Sequence, residues 1–177
     1  MLKILRQIHR IGILTEPVPA ADAGMRLREA LQRRILQIMG RALCVRAVDA
    51  GSCNACELEL QALGNPIYNI EGLGIRFVAS PRHADLLLVT GPVTAHMRDA
   101  LQQTYEAVPD PKLVVAVGDC GCGGGMFGTG GASLGPVSNV IPVDVAVPGC
   151  PPSPTRLLAG ILAALSPATA PAGTAGP

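Results

Sequence analysis

Four of the six cysteines in this chain occupy equivalent places relative to predicted strands. Cys53 and Cys56 form a C-x-x-C motif shortly after an apolar run that ends at Asp49. Cys120 follows the run "LVVAVGD", and Cys150 follows the run "VDVAVPG". In an open parallel sheet, ligands bind in the crevice outside the carboxyl ends of the strands, which all face one way. We therefore expect these four thiols to converge on one place.

A site built only from thiolates selects zinc or an iron–sulfur cluster. Structural zinc sites in small domains usually contain two closely spaced cysteine pairs, whereas this chain has one C-x-x-C. Proline follows Cys150, as it follows the last cysteine of a bacterial ferredoxin motif, and glycines surround Cys120. The pattern favours a [4Fe–4S] cluster. A zinc-stabilised binding module and a thioredoxin-like dithiol at the C-x-x-C are the alternatives.

The other two cysteines, Cys44 and Cys122, are too few to ligate a second all-cysteine cluster, so the chain holds at most one. Cys44 lies within an apolar run and is predicted to be a small buried side chain. Cys122 is either a free thiol near the site or a substitute for Cys120 as a ligand. Glu57, directly after the C-x-x-C, is interpreted as an acidic residue that favours a helix start.

Composition excludes several classes of protein. The chain has 177 residues, of which 49% are apolar and only 2% aromatic, so its core is predicted to consist of Val, Leu, Ile and Ala. A net charge of +1 provides no electrostatic footprint for nucleic acid. No convincing signal peptide is present, and the apolar stretch over 157–165 is about half as long as a membrane span. Six cysteines without a signal peptide predict a reducing compartment, the cytoplasm by default.

Short apolar runs bounded by glycine or proline begin at residue 43 and predict strands. Segments between them predict helices over 56–64, 92–108 and 153–165, the last two opening with Pro or Ser-Pro. Strands that alternate with helices predict an α/β fold with a parallel sheet of about four or five strands. The runs are "LCVRAVD", "IRFVAS", "DLLLVTG", "LVVAVGD" and "VDVAVPG".

Three segments are predicted along the chain. Residues 1–40 form an N-terminal arm of two amphipathic helices, residues 41–165 form the cysteine-containing domain, and residues 166–177 form a disordered tail of mainly Pro, Ala and Gly. We expect the helices of the arm to pack on the domain or on a partner. An interfacial membrane helix is the alternative.

Four segments of the chain resemble a known family. They are "AGSCNACELEL", "GNPIYNIEGLGIRFVASPRHADLLLVTGPVT", "PDPKLVVAVGDCGCGGG" and "VPGCPPSPTRLLAGIL". Over roughly residues 40 to 165 the chain is similar to the small subunit of membrane-bound group 4 [NiFe] hydrogenases, of the formate hydrogenlyase and hydrogenase-4 type. It is also similar to the homologous B-type subunit of NADH:quinone oxidoreductase, respiratory complex I.

The resemblance implies a flavodoxin-like fold and one [4Fe–4S] cluster whose ligands are Cys53, Cys56, Cys120 and Cys150. It implies an electron-transfer subunit without catalytic residues of its own. The implied partners are a large catalytic subunit, a ferredoxin-like iron–sulfur subunit and membrane subunits. The complex is expected to hold the chain peripherally on the cytoplasmic side of the cell membrane.

Sequence details distinguish the two branches of this family. Complex I subunits have two adjacent cysteines where this chain has the C-x-x-C of Cys53 and Cys56, and they usually have arginine where Ser153 stands. These differences, together with "GDC" at 118–120, favour the hydrogenase branch. A quinone-reducing subunit of the complex I type is the alternative, and Cys122 departs from what both branches lead us to expect.

Overall fold

The computed structural model describes residues 23–166, together with Arg6 and His9. Apart from these two residues, the first predicted amphipathic helix lies outside the described residues, as does the predicted tail beyond Ser166. The division of the chain at residues 40 and 165 therefore stays a prediction. Among the helices of the described residues, none is long and apolar enough to cross a membrane.

Five parallel strands form one sheet in the order β2-β1-β3-β4-β5. This order is that of flavodoxin-like folds, so the predicted α/β class is confirmed. The central strand, β3, is buried at all five positions, as expected for a parallel sheet covered on both faces. The strands are β1 (Leu43–Asp49), β2 (Ile75–Phe77), β3 (Leu86–Thr90), β4 (Leu113–Val117) and β5 (Val145–Val147).

Helices cover the two faces of the sheet through separate apolar clusters. Along β3, Leu86 and Leu88 belong to one cluster and Leu87 and Val89 to the other, which is the two-residue alternation of a strand. The first cluster contains side chains of α1, α2 and α5, and the second contains a side chain of α3. The helices are α1 (Ala23–Met39), α2 (Ala55–Ala62), α3 (Arg98–Ala107), α4 (Gly118–Gly123) and α5 (Pro154–Leu165).

The prediction of a helix from residue 92 is wrong at its start, because α3 begins at Arg98. The backbone N–H of Val93 donates to the carbonyl of Gly135 at 2.8 Å, and Val93 accepts from the N–H of Leu134 at 2.7 Å. The N–H of Ala95 donates to the carbonyl of Ala132 at 2.8 Å. These long-range hydrogen bonds engage backbone groups that a helix would have used, so Val93 and Ala95 stay beside the later loop, and a turn over 95–97 leads into α3.

Candidate cysteine site at the carboxyl edge of the sheet

The structure brings Cys53, Cys56, Cys120 and Cys150 to one small cavity. The cavity lies where β1, β3, β4 and β5 end, and its wall also includes Ser52, Gly91, Asp119, Gly149 and Pro151. Cys53 and Cys150 are exposed, whereas Cys56 and Cys120 are half-buried. The convergence expected from the strand ends is therefore present, with two thiols set into the protein and two open to its surroundings.

The first loop of the site is held by a local hydrogen-bond network. One carboxylate oxygen of Asp49 accepts from the N–H groups of Gly51 at 2.8 Å and Ser52 at 2.7 Å. The Ser52 hydroxyl accepts from the N–H of Asn54 at 2.9 Å and donates to the carboxylate of Glu57. These bonds connect the end of β1 to the first turn of α2. They fix the loop that carries Cys53.

Two glycines allow the half-buried thiols to lie against the backbone. A Cβ added at Gly118 would lie 2.7 Å from Sγ of Cys56, and one added at Gly125 would lie 2.6 Å from Sγ of Cys120. Both glycines also have positive φ, +81° and +54°, in the region that L side chains rarely adopt. The glycines of the "GDCGCGGG" segment are thus required by close approach at two defined positions.

Asp119 joins α4, which carries Cys120, to the loop that carries Cys150. Its backbone N–H donates to the carbonyl of Gly149 at 2.9 Å, and its carboxylate accepts from the N–H of Gly149 at 2.7 Å. The paired bonds link residues next to two of the candidate ligands across neighbouring strand ends. Asp119 therefore holds the start of α4 against the loop of Cys150.

Two of the four thiols, those of Cys56 and Cys120, are harder to ionise than a free cysteine. Burial first, and then the charges of Glu57, Cys53, Cys120 and Cys150, together raise the pKa of Cys56 to about 12. The pKa of Cys120 is also raised, first by burial and then by its cysteine neighbours, against a lowering hydrogen bond from the backbone of Met126. Metal ligation requires thiolates, which repel one another. A cationic centre between them would offset this repulsion.

The four thiols form a donor set for a soft metal centre, either zinc or an iron–sulfur cluster. In the part of the chain that the structure describes, no group of three or more His, Cys, Asp and Glu side chains is arranged to hold a single metal ion. A tetrahedral zinc site requires all four sulfurs within about 2.3 Å of one ion. In a [4Fe–4S] cluster four thiolates hold a larger, polynuclear centre. Four thiols around one cavity are a donor set that either kind of centre can use.

The remaining cysteines lie apart from the cavity. The Cys122 side chain packs against the second apolar cluster, and its Sγ donates to the carbonyl of Ala116 at 3.6 Å. Burial is the main cause that raises the pKa of Cys122. The prediction that Cys44 is buried is wrong: the residue is half-buried, and its Sγ lies 3.7 Å from the Arg41 guanidinium, because the Arg41–Asp85 ion pair adjoins this end of β1.

Sequence reasoning missed the positioning roles of several polar residues. Glu57 lies in the first turn of α2 as predicted, but it also accepts the hydrogen bond of Ser52. Asp49 and Asp119 each bind backbone N–H groups of a cysteine loop. Asp two residues before a Gly-Ser pair is a sequence signal for the turn that follows Asp49. No comparable local signal connects Asp119 with Gly149, which is 30 residues away along the chain.

The chain is therefore an α/β protein with a flavodoxin-like parallel sheet and four cysteines gathered at the carboxyl edge of that sheet. Residues 53–164 match the family described as NADH ubiquinone oxidoreductase, 20 Kd subunit, and the chain belongs to this family.

Its relatives include a probable membrane-bound hydrogenase subunit of Pyrococcus furiosus, 46% identical over 141 residues, which cover 78% of this chain and 84% of the relative. Formate hydrogenlyase subunit 7 of Escherichia coli is 41% identical over 136 residues, which cover 77% of this chain and 53% of that longer protein. Among solved structures, the chain is similar to one in the archaeal membrane-bound sulfane sulfur reductase complex. The TM-score is 0.60, with 35% identity over 68% of this chain and 67% of the other.

Proposed function

We propose that this protein is the electron-transfer subunit of a membrane-associated, multi-subunit oxidoreductase and that it carries one [4Fe–4S] cluster. Cys53, Cys56, Cys120 and Cys150 are the proposed ligands. The observation that carries this proposal is the convergence of these four thiols, from three separate segments of the chain, on one cavity. Membership of the 20 Kd subunit family and the named relatives support the assignment to a hydrogenase-like or complex I-like assembly.

The protein's part in this function is ligation and control of the surroundings of the cluster. When bound, a [4Fe–4S] cluster supplies one-electron chemistry at a potential that the protein tunes. The chain supplies thiolates, and a backbone N–H at Met126 is directed at the sulfur of Cys120. Hydrogen bonds to ligand sulfur stabilise its negative charge. No residue of this chain is assigned a bond-making or bond-breaking role.

Of the two branches of the family, the hydrogenase branch is the better supported assignment for this chain. The C-x-x-C at Cys53 and Cys56, Ser153 and "GDC" at 118–120 support it, as do the hydrogenase and formate hydrogenlyase relatives. The proposed partners are a large catalytic subunit, a ferredoxin-like iron–sulfur subunit and membrane subunits, with the chain peripheral on the cytoplasmic side. A quinone-reducing subunit of the complex I type is the competing assignment. Activity of the purified complex with hydrogen or formate, or with a quinone, decides between them.

The test of the cofactor is a measurement of iron, acid-labile sulfide and the dithionite-reduced EPR spectrum on anaerobically purified protein. We expect about four irons and four sulfides per chain, with a fast-relaxing S = 1/2 signal. One zinc without sulfide would identify a structural metal module. Reduction of a disulfide substrate by iron-free protein would identify a dithiol enzyme.

Serine substitutions separate the ligands from the other cysteines. Replacing Cys53, Cys56, Cys120 or Cys150 by Ser should abolish or strongly alter the cluster signal. Cys122→Ser and Cys44→Ser are the matched controls, because neither residue lines the cavity, and both should retain the iron content of the unmodified protein. Loss of iron in Cys122→Ser with retention in Cys120→Ser would reverse the assignment of those two residues.

A further inference from the structure

The wall of the cysteine cavity contains one carboxylate. Among the described residues that line this cavity, Asp119 is the only one with a charged side chain, and no lysine, arginine or histidine lies there to balance it. The rest of the wall consists of the four cysteines and of Gly, Ala, Ser and Pro residues. The proposed ligation by four thiolates makes no use of this additional negative charge.

The hydrogen bonds of Asp119 do not require its charge. Asp144 forms the same pair of bonds at the opposite edge of the sheet, just before β5: its N–H donates to the carbonyl of Val114 at 2.9 Å, and its carboxylate accepts from the N–H of Val114 at 2.7 Å. The bonds between Asp119 and Gly149 have the same pattern after β5. A neutral amide oxygen would accept either bond from the backbone. Backbone pairing alone therefore leaves the charge beside the thiols unexplained.

The negative charge of Asp119 acts on the sulfur atoms near it. Burial, then the charges of Cys150 and Cys53, and then the charge of Asp119 raise the pKa of Cys120. The carboxylate thus disfavours further negative charge at this sulfur. It acts in the same sense against an added electron, because reduction places one more negative charge on a centre that four thiolates already ligate.

We propose that the Asp119 carboxylate lowers the reduction potential of the [4Fe–4S] cluster. The inference rests on the proposed function, which supplies the cluster and the redox partner from which its electron comes; no bond to Asp119 forms or breaks. The potential of a cluster depends on net charge as well as on hydrogen bonds and solvent exposure. Asp119 is exposed, so solvent and salt screen its charge, and the expected effect is moderate.

The test is a redox titration, monitored by EPR, of the full-length chain purified anaerobically with its cluster. Asp119→Asn keeps an oxygen that can accept from the N–H of Gly149 and removes the charge. We expect this variant to favour the reduced state by about threefold to tenfold, which raises the midpoint potential by about 28–59 mV at 59 mV per tenfold change. Asp119→Glu retains a carboxylate and should keep the potential of the unmodified protein.

Asp144→Asn is the matched control, because it makes the same chemical change in the equivalent pair of hydrogen bonds. Asp144 precedes β5 and Gly149 follows it, so the length of this strand separates the control from the cavity. Asp144→Asn should leave the midpoint potential unchanged. Equal potentials in Asp119→Asn and Asp144→Asn would indicate a purely structural role for Asp119 and would overturn the inference. A rise in Asp119→Glu as large as that in Asp119→Asn would also overturn it.

A second neutral variant, Asp119→Ser, covers the case in which Asp119→Asn does not retain the cluster. It should show the same rise in potential. Loss of the cluster from both neutral variants would overturn the inference, because the carboxylate would then be needed to assemble the cluster rather than to set its potential. Absence of iron and sulfide from the unmodified protein would instead remove the proposed function, and the inference with it.

Discussion

Replacing Gly118 by Ala tests whether the cysteine site requires the backbone geometry seen here. Gly118 begins α4, directly after β4, and its φ of +81° is one that alanine adopts only with strain. The added Cβ would lie 2.7 Å from Sγ of Cys56, closer than real Cβ contacts. Relief of this clash requires that the thiol or the start of α4 move.

Backbone strain at residue 118 and the clash with Sγ of Cys56 together set the expected loss of stability. Left-handed backbone costs an L residue about 1–2 kcal/mol, and a methyl group forced into a packed site typically costs about 1–3 kcal/mol more. We therefore expect Gly118→Ala to lower the free energy of unfolding by about 2–5 kcal/mol. For a domain of this size the midpoint of thermal unfolding should fall by about 4 °C or more.

Gly123→Ala, in the same short helix, is the control for this experiment. Its added Cβ would meet nothing within 4 Å, and alanine is the better helix former. Thermal unfolding of the two variants, followed by circular dichroism, gives the stability difference. Iron and sulfide content after anaerobic reconstitution shows whether Cys56 is displaced. If Gly118→Ala matched Gly123→Ala in both measurements, the proposed contact between this thiol and the backbone would be refuted.

Three further changes test other contacts. Gly160→Ala should destabilise the protein by about 1–3 kcal/mol in urea unfolding, because the new Cβ would overlap the side chain of Val147 between α5 and β5. Asp119→Ala should cost about 1 kcal/mol in the same assay because it leaves the N–H of Gly149 without its carboxylate acceptor, and Asp119→Asn should cost less because an amide oxygen remains. In iron-free protein at pH 8, iodoacetamide should alkylate Cys56 more slowly than the two exposed cysteines of the site, measured by mass spectrometry, because a pKa of about 12 leaves little thiolate.

The raised pKa of Cys56 also makes the stability of the iron-free protein depend on pH. A thiol whose pKa is raised on folding from 9.0 to about 12 binds its proton more tightly in the folded chain. Its contribution to the stability of the iron-free protein is therefore complete below pH 9 and is lost as the pH rises toward 12. Metal ligation opposes this tendency, because it requires the thiolate and releases the proton.

The sheet and the convergence of the cysteines could be predicted because both follow from short-range patterns. The five apolar runs identify the strands. β3 is predicted correctly because its unbroken apolar run, which indicates a strand buried on both faces, is visible without information from distant residues. Once the strands are parallel, their carboxyl ends must share an edge, so Cys120 and Cys150 are placed together although they are far apart in sequence. The topology of an α/β fold carries this information.

The details that failed are those decided by distant partners. Residues 92–97 look like the start of a helix, but backbone bonds to the loop before Gly135 hold Val93 and Ala95, and a turn over 95–97 precedes α3. The apolar run around Cys44 predicts a buried side chain. Its thiol instead lies beside the ion pair of Arg41 with Asp85, and Asp85 is far along the chain.

The exposure of the site itself argues that the protein acts within an assembly. Cys53 and Cys150 lie at the surface, and beside Cys120 the loop after Gly125 presents Met126 at 91% and Phe127 at 57% exposure. Single exposed apolar side chains are ordinary, but two adjacent ones beside open thiols place an apolar surface next to the proposed redox centre. A cluster is tuned by its solvent exposure as well as its ligands. A partner that covers Met126 and Phe127 would therefore complete the shell that this chain leaves open.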